Sequence, residues 1–397
     1  MYMKFLLNGL SDINIDEIDI DASKSESIII FPKFRDKIKY KKEEIDQLEN
    51  NNIWDKMKKI ANPYELIYTT YNKKRKNDSI SNYIPISRSY FKLWEIFFNF
   101  ELLDNKKTNY TFSHLAEGPG GFMEATYNYM KFLGIKNSYY YGITLKPNNE
   151  YIPDWNKIKK IFNDYKKINI DYGNLYSYDD SLKYVNKFKN KKVDLVTADG
   201  GFDYSSDFNG QEINSIRIIY SEIVIALNIL ISKGNFIIKI FDIFSLNTVQ
   251  LIKLLVHSFE KVYIHKPDTS RPANSEKYLV CINFKDNLSL DNKNHLLKLI
   301  KKWDDLNIDE NDSILIKNLK VENKLIHQLN NFNELYMINQ IHYLNKTIEL
   351  IKNKPSKENY YKIIKDQVDT AIIWCKKYNT KINEDSIYYK KNYSLEI

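Results

Sequence analysis

Arginine is scarce in this sequence: only Arg35, Arg75, Arg88, Arg217 and Arg271 occur. Glycine is sparse as well, with 11 in 397 residues. The two cysteines, Cys281 and Cys375, are too few for a disulfide framework or a cysteine metal cluster, so no metal site is expected. No apolar run approaches the roughly 20 residues that cross a bilayer. The opening MYMKFLLNGLSDINID has neither the long apolar stretch nor the small-residue cleavage site of a secretory signal. A membrane partner is therefore not expected.

Lysine, asparagine, isoleucine and tyrosine are abundant instead, and the formal charge is +8. That bias is the kind an A+T-rich coding sequence produces, so lysine number alone is weak evidence for a polyanionic partner. A rare residue inside a motif says more, and Arg88 and Arg271 both lie inside one. With 397 residues and 43% hydrophobic content, the chain suits one large α/β domain with additions, or two domains.

Three regions are expected. Residues 1–80 form an N-terminal extension in which short apolar runs alternate with charged ones; its cluster Lys73–Lys76 reads as an exposed loop, solvated or on phosphate. Residues 81–287 alternate short β-rich runs with helical ones. The strand candidates are TFSHLAEG (111–118), YYYGITL (139–145), KINI (167–170), VDLVTADG (193–200), NFIIKIF (235–241), KVYIHKP (261–267) and KYLVCINF (277–284). Helical patterns at 212–232 and 245–259 lie between later ones. This predicts an α/β fold with a mostly parallel sheet covered on both faces. Only DTSRPANSE separates the last two runs, which predicts an antiparallel final strand. Residues 288–397 read as helical and polar, broken at Pro355 and without strand alternation.

Chemistry concentrates at the expected carboxyl ends of these strands, where open α/β sheets bind ligands. The turn EGPGGF (Glu117–Phe122) follows a strand and opens a helix, and it holds three of the few glycines. Its glycines permit close backbone approach by a cofactor; neither GxGxxG nor GxxxxGK[ST] is present. Thr144, Asp171, Asn174 and Asp199 end or follow successive strands. Any one of them is more often a turn former or a cap. Lys239 interrupts the apolar run NFIIKIF. It is either a snorkelling strand-end lysine or a buried cation that needs a carboxylate, for which Asp199 is at hand. Glu276 opens an antiparallel strand and so falls at the same sheet edge. In PISRSYFKLWEIFFNFELL, Arg88, Lys92, Glu95 and Asn99 form one polar stripe on an apolar helix; taken alone, this reads as a solvated face with a Lys92–Glu95 pair.

Together these segments resemble the FtsJ-type (RrmJ-like) RNA 2′-O-ribose methyltransferases. SRSYFKLWEI is similar to that family's first-lysine helix and EGPGGF to its Pro-Gly-Gly-aromatic cofactor loop. TADGGF, FIIKIF and SRPANSEKYLV are similar to the segments carrying its aspartate, second lysine and glutamate. The likeness covers about residues 82–284. The glutamate before Gly-Pro-Gly-Gly, the SRP-x-NSEKY segment and the long extensions look most like the mRNA cap ribose methyltransferases of eukaryotes and large DNA viruses.

The resemblance implies a Rossmann-like fold and S-adenosyl-L-methionine as cofactor. It implies Lys92, Asp199, Lys239 and Glu276 as catalytic residues. The expected cofactor contacts are Glu117, Gly118, Pro119, Gly120, Gly121, Phe122, Thr144, Asp171, Asn174 and Asp199; the expected RNA contacts are Arg88 and Arg271. Thr144 and Asn174 stand where the ribosomal RNA enzymes carry aspartates. An Asn carbonyl still accepts a hydrogen bond from an adenine amino group; the ribose contact falls to Glu117 or to backbone. Tyr151, in PNNEYIPDW, is a candidate to stack on a base or cap. Capped mRNA is the expected partner, with other capping enzymes, in the cytoplasm; nucleus and viral factory are the alternatives. The competing readings are ribosomal or transfer RNA as substrate, or a silent RNA-binding capping subunit. A DNA-base methyltransferase would carry Asn/Asp-Pro-Pro-aromatic where this chain has ADGGF.

Overall fold

All seven expected strands form, and an eighth joins them from the start of the chain. The computed structural model describes residues 3–8, 12–21, 27–47, 51–69, 78–147, 154–162, 165–201, 210–305 and 315–393. The Lys73–Lys76 cluster and Tyr151 lie outside the described residues.

In chain order, β1 (Met3–Leu7), β2 (Asp19–Asp21), α1 (Pro32–Asp46) and α2 (Asn51–Ala61) come first. The motif-bearing region follows. It runs α3 (Ser89–Phe100), β3 (Asn109–Leu115), α4 (Gly121–Phe132), β4 (Asn137–Thr144), β5 (Ile168–Tyr172), α5 (Tyr178–Asn186) and β6 (Val193–Ala198). It continues with α6 (Gln211–Asn214), α7 (Ile216–Ile229), β7 (Leu230–Ile240), α8 (Leu246–Ser258), β8 (Phe259–Lys266) and β9 (Lys277–Phe284). Last come α9 (Leu290–Asp305), β10 (Leu315–Lys317), α10 (Asn323–Lys352), α11 (Lys357–Lys377) and α12 (Ile387–Tyr393).

The main sheet has the order β1-β8-β9-β7-β6-β3-β4-β5. Strands β7, β6, β3, β4 and β5 are mutually parallel. β9 is antiparallel to both β7 and β8, as the short DTSRPANSE link predicted. Strand order reverses between β3 and β6, so a crevice opens at their carboxyl ends. The apolar runs are continuous because successive residues serve different cores. Val196, Ile238 and Leu279 join one cluster with α7, α8 and α10; Leu195, Ile237 and Val280 join the other with α3, α4 and α11.

Three local expectations change. The helix expected over 212–232 breaks at Ser215 and stops at Ile229, because Leu230 already pairs with Val193 as the start of β7. The N-terminal apolar run MKFLL is a strand, antiparallel to β8. Leu315–Lys317 pairs with Asp19–Asp21, a strand of three residues and too short to show alternation.

Candidate active site

Sheet topology gathers four side chains from distant parts of the chain. Asp199 follows β6 directly, and Lys239 is the penultimate residue of the neighbouring β7. Glu276 immediately precedes β9, whose antiparallel register sets Tyr278 opposite Lys239. Lys92 reaches in from α3. Lys239 Nζ lies 3.2 Å from Asp199 Oδ1 and donates to the Asp199 carbonyl at 2.8 Å. Lys92 Nζ lies 2.7 Å from Glu276 Oε1 and donates to Oε2 at 2.9 Å. The four side chains are only 12–16% exposed, enough for approach from one side and little enough that water screens them weakly.

Tyr278 joins the two ion pairs. Its buried hydroxyl is 3.1 Å from Asp199 Oδ1 and 3.3 Å from Glu276 Oε1, and its one proton can serve either. Burial, and then the two carboxylates, push this phenol well above its ordinary range. Ser270 also donates to Glu276 Oε1, at 3.0 Å. The Glu276 carboxyl is held down to about 2. Burial opposes this, but the Lys92, Lys239 and Lys266 ammoniums outweigh it. Lys239 shows the converse balance: burial is the largest influence and lowers its affinity for a proton, yet the Asp199 and Glu276 carboxylates together raise it above the ordinary lysine value.

The EGPGGF turn lies in the crevice between β3 and β6. Gly120 is left-handed, with φ +109°, and a Cβ there would sit 3.1 Å from the Ile158 side chain. A Cβ on Gly121 would fall 2.1 Å from Ser87 Oγ and 2.2 Å from Ser89 Oγ, so glycine lets α4 start against the beginning of α3. Gly118 N–H donates to Thr144 Oγ1 at 3.3 Å, which puts the end of β4 at the same turn. Glu117 is buried, and Thr197 donates to its Oε1. Burial raises its carboxyl well above the usual range. Its Oε2 has no hydrogen-bond partner among the described residues, and the nearest base, His114, is kept neutral by burial with its pKa near 3. A buried oxygen left open at a glycine turn fits a ligand with hydroxyls to offer, such as the ribose of a nucleoside cofactor.

Other expected cofactor contacts have protein partners. Asp171 is 2.5 Å from Lys187. Asn174 accepts from Tyr176 N–H at 3.0 Å, which leaves one lone pair of its carbonyl. The expectation of RNA contacts at Arg88 and Arg271 meets a competing claim on both guanidiniums. Arg271 holds Glu65 through two bonds, at 2.9 and 3.0 Å. Arg88 sits 3.5 Å from the same carboxylate and donates to the Tyr68 carbonyl at 3.0 Å.

The polar stripe of α3 faces inward. There is no Lys92–Glu95 pair: Lys92 goes to Glu276, and buried Glu95 accepts from Asp268 N–H at 2.7 Å and Thr269 N–H at 3.2 Å. Asn99 accepts from Tyr378. Sequence reasoning missed Tyr278, although period-two alternation puts it on the same face as Glu276. It also missed Glu95 as a loop anchor, and Lys266, whose buried ammonium donates to the Glu276 carbonyl at 2.7 Å.

Residues 85–284 match the family described as FtsJ-like methyltransferase. A Caenorhabditis briggsae protein named "Cap-specific mRNA (nucleoside-2'-O-)-methyltransferase 1A" is 28% identical over 350 residues, which is 79% of this chain and 39% of that protein. A Mus musculus protein named "Cap-specific mRNA (nucleoside-2'-O-)-methyltransferase 1" is 34% identical over 251 residues, 59% of this chain and 29% of that one. The chain thus spans well under half the length of these curated relatives. Among solved structures, a Plasmodium falciparum protein described as a ribosomal RNA methyltransferase is 22% identical with a TM-score of 0.37, covering 50% of this chain and 98% of that one.

Proposed function

The chain belongs to the FtsJ-like methyltransferase family, and from that membership we propose that it transfers a methyl group from S-adenosyl-L-methionine to a ribose 2′-hydroxyl at the capped 5′ end of mRNA. The observation that carries the reading is the convergence of Lys92, Asp199, Lys239 and Glu276 at one sheet edge, beside the EGPGGF turn. The cap is supported by the names of the relatives. Action inside the cell follows from that substrate.

Glu117, the Gly118–Gly121 turn, Phe122, Thr144, Asn174 and the Asp199 segment would hold the cofactor. When bound, it supplies a methyl group on a sulfonium, an electrophile needing no further activation. The protein's task is to align the 2′-oxygen and take its proton, and alignment alone contributes roughly 7–11 kcal/mol in favourable cases. Lys239 Nζ is the proton acceptor. Its raised pKa means that the amine is mostly protonated at neutral pH. Only its small neutral fraction can accept the proton, so transfer speeds up as pH rises. Asp199 fixes the Lys239 side chain, Lys92 offsets the field of Glu276, and Tyr278 keeps the two pairs in register.

The test is transfer of labelled methyl to matched capped and uncapped transcripts. Label on the capped RNA alone supports the proposal. Equal labelling of uncapped ribosomal or transfer RNA overturns the choice of substrate. Absence of cofactor binding by calorimetry overturns the enzyme reading in favour of a silent subunit.

A further inference from the structure

The loop from Pro267 to Glu276 joins β8 to β9 with 10 residues, whereas hairpin loops usually have roughly two to five. Glu276 is its last residue. Freedom in the loop is therefore freedom of that carboxylate relative to Lys92 and Tyr278.

The first half of the loop is tied to α3. Glu95 accepts the Asp268 and Thr269 N–H groups, and Arg88 Nη2 lies 3.4 Å from the Thr269 carbonyl. The second half is tied to α10. Gln340 Nε2 donates to the Ala273 carbonyl at 3.1 Å, and the Tyr336 hydroxyl donates to the Asn274 carbonyl at 2.8 Å. Both donors are buried, 1% and 4% exposed, so their bonds face little competition from water. The Tyr336 ring also carries two lysines that flank the loop. Lys277 Nζ is 4.3 Å and Lys266 Nζ 5.6 Å from its centroid. Lys266 in turn donates to the Asn274 carbonyl at 2.8 Å and to that of Glu276.

α10 lies wholly outside residues 85–284, the part matched to the family. We infer that α10 is a positioning element of the reaction site: Tyr336 and Gln340 fix the loop that aims Glu276. The inference rests on the proposed function only for the role of Glu276. It separates two jobs for α10, covering the sheet and holding the loop, and only the second depends on a hydroxyl and an amide.

Two near-isosteric substitutions test it. Tyr336→Phe keeps the ring and both cation contacts and removes one donor; Gln340→Met keeps the length and removes the other. The full-length double variant is compared with wild type by hydrogen exchange read on peptides and by methyl-transfer kinetics. Losing two buried hydrogen bonds is expected to speed exchange over residues 267–276 by roughly tenfold. Exchange elsewhere is expected to stay the same. The kcat is expected to fall about tenfold with the KM for cofactor within about twofold. Unchanged loop exchange with kcat within about twofold overturns the inference, as does an equal acceleration over the whole chain. A wild-type protein inactive on all RNA would count against the proposed function alone, because the exchange comparison still decides this one.

Discussion

The Lys239 ammonium sits between burial, which disfavours it, and two carboxylates, which favour it more. If Lys239 takes the proton, kcat rises with pH across the neutral range, close to tenfold per unit, because the neutral amine is the minor form below its pKa. A flat profile from pH 6 to 9 under single-turnover conditions contradicts that role. Asp199→Asn keeps the shape and removes the charge that holds Lys239 in place. Its kcat is expected to fall about 10²- to 10⁴-fold while calorimetry still detects the cofactor. The pairing of Lys239 with Asp199 was legible from the sequence for a physical reason: a lysine inside an apolar strand and a carboxylate at the end of the neighbouring one are costly unless they meet. Tyr278 shared that face and was also readable. Glu117 was readable as part of the turn, but its open Oε2 depends on the burial of His114, three residues before it, and on Thr197, which only the folded sheet brings near.

At the scale of elements, the α3 stripe teaches the opposite lesson. Spacing of 4, 3 and 4 placed Arg88, Lys92, Glu95 and Asn99 on one face, which was right. Whether that face meets water or protein is set by the loop before β9 and by α11, more than 170 residues away, and periodicity carries no such information. Distance also hid the partner of Arg271, Glu65, which lies 206 residues away and is shared with Arg88. Glu65 is buried, and removing it leaves two guanidiniums without their shared anion. Glu65→Ala is expected to cost about 3–5 kcal/mol in urea unfolding. Arg271→Ala separates the two readings of that residue. As a partner of Glu65 it lowers stability and leaves the salt dependence of RNA binding alone; as a phosphate contact it reduces the slope of log K against log salt by about 0.7–0.9. The Glu276 carboxyl gives the loop a pH signature. Its folded pKa, about 2, lies below the ordinary 4.5, so its stabilising contribution is complete above 4.5 and is lost as pH falls from there towards 2. The stability difference between wild type and Glu276→Gln should therefore shrink over that interval in thermal melts.

Across the whole molecule, the terminal regions are built into both cores. Leu325, Leu329 and Phe332 of α10 are buried with the sheet and with α7 and α8; Val368, Ala371 and Trp374 of α11 are buried with α3 and α4. The leucine, valine and phenylalanine side chains among these contribute roughly 1.5–3 kcal/mol each when fully buried. The sequence read as helical and polar after residue 288, but a helical pattern does not name the surface that the helix covers, so the docking of these helices was not readable. Among the described residues, no helix is long and apolar enough to cross a membrane. Whether the Lys92–Glu276 and Asp199–Lys239 pairs form a ribose methylation site is decided by mapping the labelled nucleotide in a short capped RNA treated with wild type or with Lys239→Ala. Label is expected on a ribose 2′-oxygen with wild type, and none with a variant that melts normally and still binds cofactor. Label on a base, or labelling by Lys239→Ala at near the wild-type rate, would contradict it.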